Sequence, residues 1–168
     1  MLISVEVLRC HIDYNTWASK LLVEAAGVLT HEELTRDFGT GDKSVLGTLV
    51  HLFEADRGWL ARLKGEAAGS YPAGEGYQLA VLENDWSPLR RQWQEWAGTL
   101  TDEAAQVEVF YTDRRGNPWR QPLNQLVLHV VNHGTHHRGQ VAGFLRAMGH
   151  VPPKLDLDGY YRSMPQSV

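Results

Sequence analysis

The segment from Pro122 to Met148 constrains the fold more than any other part of the chain, because its residues repeat with the period of a helix-bundle seam. Steps of three and four residues alternate along one line, which runs through Val127, Val130, Gly134, His137, Val141, Phe144 and Met148. Such a line is the a/d stripe of a helix packed against other helices, and Gly149 is suited to end it. The sequence therefore predicts an all-α protein, a four-helix bundle of the up-down type, with this segment as the last helix.

Three earlier segments have the same helical spacing. Helix one is predicted from about Ser4 to Gly27, helix two from about Val45 to Lys64, and helix three from about Tyr77 to Leu100. Pro88 falls inside helix three, so a kink or a break is expected near Asp85 to Ser87. Together with the last helix, these segments supply the four helices of the bundle.

The segments between the helices predict loops and one small β-hairpin before the last helix. Leu29 to Lys43 has no sustained period and is expected to be a loop with room for one short turn, and Ala67 to Gly76 is expected to be a second loop. Val107 to Tyr111 is rich in β-prone residues, and Arg114 to Asn117 supplies a turn that returns the chain into a short second strand. After Gly149 we expect irregular chain that packs back on the bundle.

Composition narrows the function classes. The chain of 168 residues fits one domain, 1–168, and can bury a sizeable core without disulfides or a structural metal. Its 16 Lys and Arg against 20 Asp and Glu give a net charge of −4 without a basic block, so no nucleic-acid partner is expected. No apolar stretch approaches the ~18 residues of a membrane span. The single cysteine, Cys10, and an N-terminus without a signal-peptide pattern favour a cytoplasmic protein.

The last predicted helix carries an unusual group of histidines between Asn132 and Gln140. Spacing alone allows three pairs to share one face, 129/133, 133/136 or 133/137. In the seam register His137 lies on the seam itself and His133 on the ridge that flanks it, whereas His129 and His136 both face away. The register therefore selects His133 and His137, four residues apart, as the pair that can bind one divalent metal ion.

A metal ion needs at least one more protein ligand, and His51 is the candidate. It lies off the apolar stripe of helix two, on a line of small residues formed by Gly47, Ala55 and Gly58 that could wall a cavity. Imidazole ligands with an open coordination position suit Zn²⁺, Ni²⁺ or similar ions. The alternative for His137 is a core histidine that is satisfied by a hydrogen bond.

Neighbouring residues refine the prediction of a metal site. The zinc-protease motif requires Glu directly after the first histidine, and Gly134 occupies that position, which argues against peptide hydrolysis of that type. Gln140, on the ridge of His133, either orients a ligand or is a solvated residue at the bundle edge. Gly139 and Gly143 would let another helix approach closely, either a neighbour in the bundle or a dimer partner. Asp56 is expected to be a solvated or paired carboxylate.

Several motifs resemble the DinB/YfiT-like metal-binding superfamily. They are Tyr14 to Ala18 in helix one, Leu46 to His51 and Arg57 to Leu60 in helix two, and Asn132–His133 through His137 to Gln140 in the last helix. The resemblance covers most of the chain, and the last motif is its most specific part. It implies a four-helix bundle, usually homodimeric, with one metal ligand on the second helix and an i, i+4 histidine pair on the last, which here are His51, His133 and His137. Tyr14 and Trp17 become candidates for pocket residues.

Function transfers less well than fold from such a resemblance. It implies one divalent transition metal per chain, zinc or nickel, and a metal-dependent transferase that joins a low-molecular-weight thiol to a small electrophile. Characterised relatives use bacillithiol, mycothiol or glutathione. The alternatives are a non-catalytic metal-binding or stress-response protein and, third, a metal-dependent hydrolase.

Overall fold

Four long helices form the bundle of this protein, for which a computed structural model describes residues 3–66, 77–113 and 115–165. Within these residues the helices are α1 (Val5–Ala26), α2 (His31–Thr35), α3 (Val45–Leu63), α4 (Leu79–Gly98), α5 (Leu123–Ala147) and α6 (Leu157–Ser163). The strands are β1 (Glu108–Thr112) and β2 (Pro118–Pro122). The all-α class and the four-helix bundle with a hairpin before the last long helix are confirmed.

The long helices pack so that each contacts two others. Helix α1 lies against α4 and α5, and α3 lies against the same two helices. The a/d stripe predicted for α5 faces this core, because Val127 and Val141 have no exposed surface and Val130 is 4% exposed. This packing places α3 beside α5, so a side chain of one can meet side chains of the other.

Local signals set the ends of the helices. The Ser44 side chain accepts a hydrogen bond from the backbone N–H of Gly47 and caps α3. Thr30 and Glu33 form a capping box that starts α2, the short helix of the predicted 29–43 loop. Gly149, with φ of +87°, follows the end of α5 in the left-handed conformation that glycine adopts readily.

Helix α4 continues through Pro88 without the predicted break, since Asp85 to Ser87 are all helical. Trp86 before the proline and Leu89 and Trp93 after it are buried in the same core. Burial of these large side chains holds both halves of the helix in place and outweighs the cost of a proline in a helix interior. Of the expected kink or break, the break is absent because packing outweighs the backbone cost of the proline, and the kink stays a prediction.

The hairpin prediction is confirmed. Strands β1 and β2 are antiparallel, with Glu108 opposite Pro122 and Thr112 opposite Pro118, and β2 leads directly into α5. The tail is not irregular throughout, because α6 forms in it and buries Tyr160 between Tyr14 and Trp17 of α1.

The predicted 67–76 loop lies outside the described residues. Among the helices that the structure does describe, none combines the length and the apolar character that a membrane crossing needs.

Candidate metal centre

Three imidazoles meet between α3 and α5. One nitrogen from each of His51, His133 and His137 lies within 4.8 Å of the other two. The Nε2 atoms of His51 and His133 are 3.1 Å apart, although 82 residues separate them in the chain. The three histidines that the sequence selected are therefore brought together in space.

The outward ring atoms of two imidazoles face hydrogen-bond acceptors. Nδ1 of His137 lies 2.8 Å from Oε1 of Gln140, one turn further along α5. The carboxylate of Asp42 contacts both rings, with Oδ2 3.5 Å from Nδ1 of His137 and Oδ1 3.7 Å from Nδ1 of His51. Because these oxygens only accept, they favour the tautomer with hydrogen on Nδ1 and leave the Nε2 lone pair toward the centre of the group.

The electrostatic environment keeps His133 in its neutral form. Burial, followed by the nearby imidazoles of His137 and His51, lowers the pKa of His133 to about 4. At pH 7 this ring carries no charge, and a neutral imidazole is the form that binds a metal ion. Three nitrogen donors at this spacing fit a divalent first-row ion.

A cavity of about 260 Å³ opens beside the imidazoles. Helix α3 and the hairpin enclose it, and its lining combines aromatic with charged side chains: His51, Glu54, Ala55, Trp59, Arg62, Tyr111, Asp113, Trp119 and His133. Of the small residues predicted to wall a cavity, Ala55 does so. Gly58 is buried and Gly47 faces the loop before α3, so neither lines it.

Asp42 is a site residue that sequence reasoning missed. It lies in the irregular chain before α3, where neither periodicity nor a motif marks it. Gly47 is the sequence signal connected with it, because a Cβ at Gly47 would overlap the backbone carbonyl oxygen of Asp42. A glycine in the first turn of a helix was therefore a sign that another backbone passes close by.

A buried guanidinium between α5 and α1, on the residue that follows His137, was also missed. The Arg138 side chain is 1% exposed and donates from Nη1 to Oδ1 of Asn15 at 2.6 Å, and from Nη2 to Oγ1 of Thr135 at 3.1 Å. Gly134 makes this possible, because a Cβ there would lie 2.5 Å from the Asn15 oxygen and 2.6 Å from the Arg138 nitrogen. Gly134 thus makes room for the arginine.

Asp56 completes this buried network and is not solvated. Its carboxylate accepts hydrogen bonds from Nε1 of Trp86 at 2.9 Å and from Nδ2 of Asn15 at 3.4 Å. Asn15 therefore bridges the Arg138 guanidinium and the Asp56 carboxylate. Burial raises the pKa of Asp56 to about 6, against the opposing effects of the Trp86 bond and the Arg138 charge.

The other predicted residues do not belong to the three-nitrogen group. His129 and His136 are exposed, although the His129 ring lies 5.9 Å from that of His133 and the His136 ring lies 5.0 Å from that of His137. Tyr14 and Trp17 pack on Tyr160 and do not line the imidazole cavity. Tyr14 instead borders a larger cavity of about 610 Å³ on a different face of α5.

The fold and the site together define the class of this protein: it is a four-helix bundle with a three-histidine site between two helices that pack against each other. The chain belongs to the DinB family, whose model matches residues 5–167. This confirms the family that its motifs indicated.

Relatives share the fold at low sequence identity. The protein DinB of Bacillus subtilis (strain 168) is 22% identical over 161 residues, which cover 88% of this chain and 90% of that protein. A DinB-like protein from Bacillus cereus superposes with a TM-score of 0.71 at 19% identity, covering 92% of this chain and 99% of the other. YfiT from Bacillus subtilis, described as a probable metal-dependent hydrolase with an unusual four-helix bundle topology, gives 0.68 at 20% identity, covering 88% and 91%.

Proposed function

We propose that this protein binds one divalent transition metal ion per chain, zinc or nickel, through Nε2 of His51, His133 and His137. The observation that carries the proposal is the convergence of three imidazole nitrogens within 4.8 Å, and two of these rings, those of His51 and His137, have oxygen atoms facing Nδ1. A satisfied core histidine needs one partner, whereas this arrangement directs three donors to one point.

We further propose that the bound ion serves a transferase, in which a low-molecular-weight thiol loses its proton and its sulfur forms a bond to a small electrophile, which releases its leaving group or, in an addition to a double bond, takes up the proton. A divalent ion at this position would supply Lewis acidity, which lowers the pKa of a coordinated thiol. The chain's own residues supply the rest of the site. Trp59, Tyr111 and Trp119 offer aromatic surface to an apolar part of a substrate, and Arg62 offers a cation to an anionic part.

Metal content tests the first proposal. Purified protein loaded with Zn²⁺ or Ni²⁺ should retain about one ion per chain after desalting, and His137→Ala should lose it. His136→Ala is the matched control, because His136 is the exposed neighbour of His137 and should leave the metal content unchanged. A wild-type protein that holds no metal would contradict the proposal.

Substrate turnover tests the second proposal. The loaded protein should consume a thiol together with a reactive electrophile, and chelation or His137→Ala should abolish this activity. If no thiol is consumed and the metal only raises the melting temperature, the non-catalytic metal-binding function is correct instead.

A metal-dependent hydrolase is a second candidate, which the description of YfiT and the position of Glu54 favour. Glu54 lines the cavity with His51 and His133 and offers a carboxylate that could take a proton from an attacking water. Ester hydrolysis that requires metal and is lost in Glu54→Gln, with no thiol consumption, would identify this activity.

The assembly proposed for the family is a homodimer. Gly139 and Gly143 are exposed on α5, and no atom of the described residues would contact a Cβ at either position, so no described helix packs closely on them. We propose that they lie at the dimer contact. Analytical ultracentrifugation should show a dimer for the wild type and a monomer for Gly143→Glu.

A further inference from the structure

The Asp42 carboxylate lies between two proposed metal ligands that come from different helices. Its Oδ1 faces Nδ1 of His51 on α3 at 3.7 Å, and its Oδ2 faces Nδ1 of His137 on α5 at 3.5 Å. We propose that Asp42 is a positioning residue that orients both imidazoles toward the metal, and that Gly47 holds Asp42 in place. This inference rests on the proposed metal-binding function.

The geometry gives Asp42 an effect that Gln140 cannot have. Gln140 lies on the same helix as His137 and contacts that ring alone among the proposed ligands. Asp42 lies 3.5–3.7 Å from a ring on each helix, so its negative charge favours orientations in which Nδ1 of both rings points toward it. A carboxylate opposite the metal also raises the basicity of a ligating imidazole.

The chain before α3 is held in place at several points. The Lys43 carbonyl accepts a hydrogen bond from the N–H of Phe38, whose ring stacks on Phe144 of α5 at a centroid distance of 4.3 Å. The Asp42 carbonyl accepts from the N–H of Ser44, the residue that caps α3, at 2.7 Å. The Asp42 backbone is therefore tied to both helices that carry the histidines.

Gly47 allows the Asp42 backbone to lie directly on the first turn of α3. A Cβ at position 47 would overlap the Asp42 carbonyl oxygen, and it would approach Oγ of Ser44 to 3.3 Å. The end of a flexible side chain can rotate away from an added methyl group, but a backbone carbonyl cannot. A methyl group at position 47 would therefore shift the whole Asp42 segment. Gly47 has no side chain that could reach an imidazole, yet it determines where the carboxylate between His51 and His137 lies.

Zinc affinity of Asp42→Asn tests the role of the carboxylate. Competition with a chromogenic chelator at constant pH should give a dissociation constant raised about 10- to 100-fold, with the stoichiometry unchanged. The melting temperature of the metal-free variant should stay close to that of the wild type, because the Asp42 side chain is partly exposed. Asp37→Asn is the matched control, since it removes one negative charge from the same loop, away from the imidazoles, and its affinity should be that of the wild type.

Gly47→Ala tests the role of the backbone contact. It should weaken zinc binding to a similar extent as Asp42→Asn, and the double variant should be little weaker than either single variant, because both changes remove one interaction. Additive losses would show that Gly47 acts by another route and would overturn its part of the proposal.

The outcomes separate this inference from the proposed function. If Asp42→Asn binds zinc as tightly as the wild type while His137→Ala binds none, the metal site stands and the role of Asp42 is wrong. A wild-type protein that binds no metal would contradict both the proposed metal site and the proposed role of Asp42. Visible spectra of the Co²⁺-loaded proteins give a second readout, since reoriented imidazoles change the ligand field without any need for turnover.

Discussion

Gly134 follows a proposed ligand directly, and its missing side chain serves a different group. The space above its Cα is occupied by the bond between Arg138 and Asn15, which joins α5 to α1. Because Arg138 is 1% exposed, its guanidinium cannot be hydrated, and this hydrogen bond takes the place of one to water. Any side chain at position 134 must break or displace it, so the residue is constrained by packing and not by the metal.

Gly134→Ala should therefore destabilise the protein by about 1–3 kcal/mol, the usual cost of an added methyl in a closely packed site. Gly98→Ala is the matched control, because it is a helical glycine with open space around its Cα. It should be neutral or stabilising by up to about 1 kcal/mol. Urea denaturation of both variants measures the difference, and equal stabilities would contradict the packing role of Gly134.

Asp56 makes stability depend on pH in an unusual direction. Its pKa is about 6 in the folded protein, against an ordinary value of 3.8. The folded state therefore binds more protons than the unfolded state between these values, so this group's contribution favours folding less as the pH rises from about 4 to about 6.

Comparison with Asp56→Asn isolates that contribution, because all other groups titrate in both proteins. The variant should be less stable at pH 7 by about 2–3 kcal/mol, since an amide leaves Arg138 without a nearby buried negative charge and places N–H groups opposite other donors. The wild type should exceed the variant in free energy of unfolding by a growing amount as the pH falls from about 6 to about 4. Unfolding curves at several pH values measure it, and a constant gap would show that the carboxyl pKa is not raised.

At the residue scale, the histidines could be predicted from the sequence more readily than the residues that contact or surround them. His133 and His137 could be selected because one helix register relates them. Arg138 was missed because arginine is usually exposed and its partner Asn15 lies 123 residues earlier in the chain. Asp42 was missed because only the folded loop brings it to the imidazoles. Contacts set by distant segments leave no periodic signal.

At the scale of single elements, α4 shows how packing outweighs local propensity. Pro88 is exposed, while Trp86 and Leu89 beside it are buried. The proline side chain thus contributes little to the core, yet it removes a backbone N–H from a helix interior. The helix tolerates this cost because the buried neighbours hold it in place.

Pro88→Ala should stabilise the protein by about 1–2 kcal/mol. The gain from a restored helical N–H is about 3 kcal/mol, and the greater freedom of the unfolded chain with alanine offsets about 1 kcal/mol of it. Thermal or urea unfolding would show the increase. A loss of stability would mean that the proline ring makes contacts that its exposure does not indicate.

Elements with a long apolar period could be predicted closely, and short ones could not. The seam of α5 gave its ends to within a residue or two, and the hairpin followed from β-prone residues around a turn. Helix α6, with seven residues, forms where Tyr160 packs on Tyr14 and Trp17, and such a short helix has too few turns to show a period.

At the scale of the whole molecule, the proposed metal joins two helices that are distant in sequence. His51 and His133 lie 82 residues apart, so the three ligands come together only in the folded chain. Metal binding should then add directly to the stability of the bundle.

Removal of metal should lower the melting temperature. At a free concentration 100 times the dissociation constant, the ion adds about 2.7 kcal/mol, which for a chain of this size is a shift of about 5–10 °C. Scanning calorimetry with and without chelator measures the shift, and His137→Ala should show none. A shift of the same size in that variant would place the bound metal elsewhere.

The proposed metal ligands and much of the cavity lining come from different parts of the chain. Helices α3 and α5 hold the proposed ligands, whereas Tyr111, Asp113 and Trp119 come from the hairpin and its turn. Asp113 and Trp119 line the cavity without belonging to the buried core, so substitutions at these positions should alter what the cavity admits while the imidazoles keep their places. The shape and charge of the cavity could therefore change through one short segment of the chain while the three histidines on α3 and α5 stay the same.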